Sequence, residues 1–300
     1  MQGASRLKRV PSGVRETSDC PKATRFTSCD TYTTRPWQLY MAGLPVPVAW
    51  VQYRITIGWH TVVNSRRFTG VVHVKVLGAR GTLIPGLALT VTAKCGGSCT
   101  VTGTASGPLW LPGQEWGGTF TFNDAVAEDK KDEIKAEFLE TAKHPVLRTG
   151  PGDLYAGSIV RCDDTMGNQN AGCIIKQYTP TMTSMTELPT IAKNILRIQA
   201  ATGLGKVGGT PLTRLRNDSA IDKNRRAVCG RSNTGDPQNP GDTCDEYPFA
   251  STYEGGVPVR NGENMWAWVP GDENQGQSWR INNFYTANRI LDTDPFWVKV

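Results

Sequence analysis

From Lys206 to Val300 the chain contains no histidine. On its own residues that segment cannot build a Ser-His-Asp triad, a Cys-His pair or a histidine-held metal. Chemistry there is left to carboxylates, amides, arginines and a hard cation bound through oxygen. Other absences narrow the class further. The longest apolar stretch, LYMAGLPVPVAWV, carries two prolines and is followed by Gln52 and Arg54, too short and broken to cross a bilayer. The basic start MQGASRLKRVPSGVRETSDC has no apolar h-region, so no signal peptide is visible in it. There is no internal repeat and no low-complexity run. The cysteines lack paired CxxC knuckles, and His60, His73 and His144 lie away from them, which argues against zinc.

What the chain does have is an even set of eight cysteines, falling into four close sequential pairs: Cys20 with Cys29, Cys95 with Cys99, Cys162 with Cys173, and Cys229 with Cys244. Disulfides on that pattern imply an oxidising, extracytoplasmic location. Length suits two domains. With 32 Gly and 19 Pro, strands, turns and loops are favoured over long helices. The net charge of +6 is uneven. Lys206–Val300 holds 11 basic and 12 acidic residues, leaving 22 and 15 of the 33 and 27 for the rest, about −1 against +7. Charge alone is a weak argument for nucleic acid.

Residues 1–36 are polar and basic and read as a loosely ordered arm. Residues 37–161 read as a β-sandwich-like domain: VQYRITIGWHTVV alternates with period two, and FTGVVHVKVLGARG, LALTVTAKCGGSCTVTGTA and GGTFTFND follow, separated by turn residues. AVAEDKKDEIKAEFLETAKH has helix-forming composition but alternates in IKAEFLETAKH, and its place among strands tips it to strand. Residues 162–208 read as a disulfide loop, RCDDTMGNQNAGC, and a linker helix. In that helix Leu188, Ile191, Ile195, Leu196 and Ile198 keep helical spacing up to Gly203. The final domain spans 209–300. Within it, Trp266 to Val269 reads as a strand, Pro270-Gly271 as a turn, Asp272-Glu273-Asn274 as a loop, and Gly276 or Ser278 as the start of a helix running to Asn288. That places Asn274 near a helix N-terminus, which favours an anion such as phosphate. Trp266, Trp268, Trp279 and Trp297 read as core packing rather than platforms for bases.

NRRAVC, CDEYPFASTYEGG and ENQGQSW occur in that order, and in these motifs the chain resembles NucA/NucB-type deoxyribonucleases, small secreted bacterial endonucleases. RCDD, AGC, YTPTMT, GGTPLTRL and NRILDTDPFWVKV look like larger actinobacterial-type secreted proteins that place this nuclease after a β-rich region. The resemblance implies a small α+β domain of ββα-metal nuclease type. It maps the aspartate of the family's DE(W/Y)P motif, in the role of general base, to Asp245, and Glu246 is the neighbouring acid. The metal-holding asparagine of NQGQSW maps to Asn274, with Glu254 as a further carboxylate for the ion. Arg225 falls where the family has an arginine before the cysteine, and Arg226 and Arg280 would contact substrate. The cofactor expected is a divalent cation, Mg²⁺ or Mn²⁺.

The function expected is thus an exported, metal-dependent, sequence-non-specific endodeoxyribonuclease acting on DNA, with no membrane partner. Two alternatives stand beside it. One is a non-enzymatic surface protein whose β domain engages a wall polymer or protein while the nuclease-like domain is inactive. The other is a DNase toxin delivered to competitors.

Overall fold

In the computed structural model, residues 20–150, 152–167, 169–237 and 239–300 are described, and residues 14–16 by their backbone. The chain divides into two compact units, Met1–Tyr178 and Thr179–Val300.

The first unit is mostly β. Its strands are β1 (Val14–Glu16), β2 (Thr27–Thr33), β3 (Trp37–Met41), β4 (Pro47–His60), β5 (Arg67–Arg80), β6 (Ala88–Lys94) and β7 (Thr100–Thr102). They continue with β8 (Ala105–Pro108), β9 (Glu115–Asn123), β10 (Lys131–Lys143), β11 (Leu147–Arg148), β12 (Leu154–Asp163) and β13 (Gly172–Ile175). One curled sheet runs β1-β2-β4-β5-β9-β7, with β3 also on β4 and β11 on β3; the other runs β13-β12-β10-β6-β8. Alternation dictates the inner faces. Along β4, Val51, Tyr53, Ile55, Ile57 and Trp59 are buried while the residues between them are not. Phe138 of the second sheet meets Phe120 and Trp59 of the first at 5.1 and 5.3 Å between ring centroids.

β10 settles the ambiguous segment as strand: Ile134, Ala136, Phe138, Glu140 and Ala142 face inward at every second position, so period two outweighs helix propensity. The expected arm is corrected in part. Residues 27–33 form β2 in the large sheet, tied back by the Cys20–Cys29 disulfide, with Asp30 and Thr31 buried. Residues 1–13 and 17–19 of that expectation lie outside the described residues. The 162–208 segment is not a separate linker. Cys162–Cys173 crosslinks β12 to β13 inside the first unit, and the helix belongs to the core of the second.

The second unit contains β14 (Thr181–Met182), a 3-10 turn (Ser184–Glu187), α1 (Pro189–Thr202), β15 (Leu212–Thr213), α2 (Asp218–Cys229), α3 (Arg231–Thr234) and β16 (Asp242–Glu246). β17 (Val259–Arg260), β18 (Glu263–Asn264), β19 (Trp266–Pro270), α4 (Gly271–Ala287) and β20 (Pro295–Val298) complete it. Ile191, Ile195 and Ile198 of α1 pack with Tyr247, Phe249, Val269 and Phe296. Gly203 ends α1 in the left-handed region at φ 70°, where a Cβ would be strained. Among the described residues no helix is long and apolar enough to cross a membrane.

Candidate active site

β16 pairs antiparallel with β19 along one edge only, Cys244 opposite Trp268 and Asp245 opposite Ala267. Among the described residues no strand pairs with its other edge. α2 lies against the face carrying Cys244 and Glu246; α4 lies against the face carrying Thr243 and Asp245. Local sequence fixes both helices. Asn217 caps α2, its Oδ1 accepting from the N–H of Ala220 at 2.9 Å, and the Cys229–Cys244 disulfide ties the last turn of α2 to β16. α4 begins at Gly271, earlier than expected, so Asp272, Glu273 and Asn274 belong to its first turn instead of a preceding loop. The Pro-Gly pair starts the helix, and two acids in the first turn suit its dipole.

Between α2 and α4, over the edge of β16 away from β19, lies a cleft of about 800 Å³. Arg225 and Arg226 line one wall, Asn274, Gln277 and Ser278 the other, and Glu246 the floor. Strand alternation splits the two adjacent acids. Asp245 is 1% exposed and turned into the core, where Oδ2 accepts from Asn194 Nδ2 at 2.8 Å and Oδ1 from Gln277 Nε2 at 2.7 Å. Burial pushes its carboxyl up to about 7; the two amide bonds oppose that, and the charges of Glu246 and Glu273 add to it. Asp245 therefore does not face the cleft, contrary to the general-base expectation. Glu246 does.

Burial also raises the Glu246 carboxyl, against the pull of Arg225 and of the backbone N–H groups of Glu246 and Ala250. Arg225 Nε stands 3.9 Å from Glu246 Oε1, and Arg225 also pairs with Asp222 at 3.1 Å. Glu246 Oε2 lies 3.2 Å from Cys229 Sγ, a contact without a proton because that sulfur is in the disulfide. Asn274 Nδ2 donates to Thr243 Oγ1 and Cys244 O, both at 3.0 Å, which leaves the carboxamide oxygen for the cleft. The donor atoms there are thus hard oxygens, from Glu246 and Asn274. No cluster of three His, Cys, Asp or Glu side chains occurs among the described residues.

Two expected site residues lie elsewhere. Glu254 Oε2 accepts from the N–H of Thr213 at 2.8 Å, so it fixes a loop to β15 and does not line the cleft. Arg280 is bound to Glu187 at 2.7 Å and to the carbonyl of Gly276 at 3.3 Å, on the side of α4 away from the cleft. Trp279, expected in the core, is 64% exposed.

Three residues were missed. Gln277 sits inside the quoted ENQGQSW motif. Asn194 is a polar residue in the apolar stripe of α1, between Ile191 and Ile195, and such a buried amide is a readable signal of a polar partner. Glu273 caps α1 from α4, its carboxylate accepting from the N–H groups of Thr190 and Ile191 at 2.9 and 3.2 Å. That contact depends on tertiary placement and leaves no local signal.

Comparison with known families bears on the C-terminal third of the chain. Residues 201–299 match the family described as Deoxyribonuclease NucA/NucB. The chain therefore carries a NucA/NucB deoxyribonuclease domain at its C-terminus, with DNA as the implied substrate. No curated protein matches the chain. Among solved structures, the crystal structure of yeast GGA1_GAE domain-P21 is similar over 48% of this chain and 95% of that chain, at 9% identity and a TM-score of 0.18, a likeness that carries no argument. Asn194 precedes the matched segment, yet it holds the aspartate of the motif.

Proposed function

We propose that the C-terminal unit is a divalent-metal-dependent, sequence-non-specific endodeoxyribonuclease whose working acid is Glu246. The observation that carries this is convergence: Glu246, the carboxamide oxygen of Asn274 and two arginines meet in one cleft over a strand edge. The antiparallel pair β16 and β19 followed by α4 supports reading this unit as a ββα-metal core. Arg225 and Arg226 bind the non-bridging oxygens of the scissile phosphate. Glu246, the carboxylate on the floor of the cleft, accepts the proton of the attacking water. Glu246 and Asn274 would hold Mg²⁺ or Mn²⁺, a fit for a hard ion that completes its shell with water and phosphate oxygens. That ion would supply charge neutralisation at the phosphate. Asp245 positions Gln277 and the strand behind the cleft. The four disulfides support a place outside the cytoplasm.

Plasmid digestion with Mg²⁺, Mn²⁺ or EDTA tests this on the wild type, Glu246→Gln and Asp245→Asn. Cleavage is expected to require the cation and Glu246, and to survive in Asp245→Asn. Nicking that ignores EDTA, or that is lost only in Asp245→Asn, overturns the assignment.

A further inference from the structure

Trp279 has no folding role that accounts for its exposure. It is 64% exposed, more than any other aromatic side chain among the described residues, whereas Trp59 is buried and Trp266 and Trp268 pack on each other. An exposed apolar side chain alone is ordinary on a protein surface, but an open aromatic ring beside an arginine-lined cleft offers a partner a stacking face. Its position says which partner. Gln275, Ser278 and Asn282 of α4 line the cleft. At 100° per residue, position 279 lies on the next strip of the helix, at the rim. One side of the ring is backed by Arg280, whose guanidinium lies 6.0 Å from the ring centroid and is itself held by Glu187. The remaining surface is open, beside a cleft whose facing wall presents Arg225 and Arg226.

Resting on the nuclease reading above, we infer that Trp279 is a substrate-binding platform that stacks on an unpaired base flanking the scissile phosphate. A backbone held at the two arginines brings its neighbouring base to the rim. A π-face accepts any base, so the contact adds affinity without sequence preference. A base within a duplex is already stacked and cannot use it. The enzyme therefore prefers single-stranded or locally opened DNA.

The test is binding of a short labelled oligothymidylate and of a blunt-ended duplex of two complementary strands, followed by fluorescence anisotropy in EDTA, where cleavage is suppressed. Trp279→Ala is expected to weaken single-strand binding by about 5- to 150-fold and leave duplex binding within about twofold. Trp279→Phe, which keeps a π-face, retains most of the affinity and controls for misfolding. Unchanged single-strand binding in Trp279→Ala, or an equal loss on both substrates, overturns the inference. A wild type that binds but never cleaves with Mg²⁺ or Mn²⁺ removes the nuclease reading and leaves the stacking contact standing.

Discussion

Glu140 in the first unit and Asp245 in the second are both deeply buried with raised pKa values, and only Asp245 stands behind a cleft. Glu140 of β10 is 1% exposed, its Oε2 accepts from the Tyr53 hydroxyl at 2.6 Å, and burial with the nearby Asp153 charge pushes its carboxyl up to about 8. Asp245 is as deeply buried and is pushed up to about 7. Burial shifts both carboxyls in the same direction. Their partners differ. Glu140 is closed in by Tyr53 and Tyr155 within the core between two sheets, while Asp245 is held by Gln277, whose other side lines the cleft. A perturbed carboxyl is thus a weak marker of function, and adjacency to an open, arginine-lined groove is the stronger one.

Rate separates the two buried sites most strongly. Glu246→Gln should lower plasmid nicking by about 10²- to 10⁴-fold, the range of a lost proton acceptor. Glu140→Gln should leave nicking unchanged. A Glu140 variant that loses activity while remaining folded would show that the β unit takes part in the chemistry.

Crosslinking separates the units next. The only disulfide of the second unit joins α2 to β16 at the cleft itself, across a sequence separation of 15, whereas Cys95–Cys99 in the first closes a separation of 4. Opening Cys229–Cys244 by a double serine substitution should cost about 3 kcal/mol on the loop-entropy scale, more than opening Cys95–Cys99. Hydrogen exchange resolved along the chain should show α2 and β16 losing protection while β4 and β5 keep theirs.

The strands and the staples were legible because their signals are local. Period-two burial in β4 and even in the charged β10, and cysteines close in sequence, do not depend on what packs above them. The site was half legible. The motif brought Asp245, Glu246, Asn274 and Arg225 to one place. Which acid faced outward was not readable, because a two-residue alternation has no absolute phase until α2 and α4 choose their faces. Arg280 and Glu254 were lost for the same reason: a charged side chain shows its chemistry in sequence but not its direction. Asn194 was readable in principle, as an amide in an isoleucine stripe.

Stability as a function of pH also distinguishes Glu140 from Asp245. A carboxyl whose folded pKa lies above its unfolded value stabilises the fold fully below the unfolded value, and that stability is lost as pH rises through the folded one. Unfolded Glu and Asp titrate near about 4.3 and 3.9. Stability should therefore fall as pH climbs from about 4 to 8 through Glu140 and from about 4 to 7 through Asp245. Glu140→Gln should remove the Glu140 share of that loss, measured by urea unfolding at stepped pH, and leave the share due to Asp245. A curve unchanged by the substitution would mean that Glu140 remains ionised in the folded unit.

The smallest expected effect sets two arginines apart as the two acids are set apart, by what surrounds them. Arg226 lines the cleft and has no ion-pair partner among the described residues, while Arg280 is held by Glu187 and the Gly276 carbonyl. On single strands each cation that neutralises a phosphate adds about 0.7 to the slope of log affinity against log salt, because it releases a counterion. With Glu246→Gln as the non-cleaving background, Arg226→Ala should reduce that slope on single-stranded DNA by about 0.7. Arg280→Ala should leave it unchanged, since an arginine already neutralised by Glu187 releases nothing. Equal slopes for both variants would move the DNA path off the α2–α4 groove, and Glu246 would then lose its claim to the phosphate.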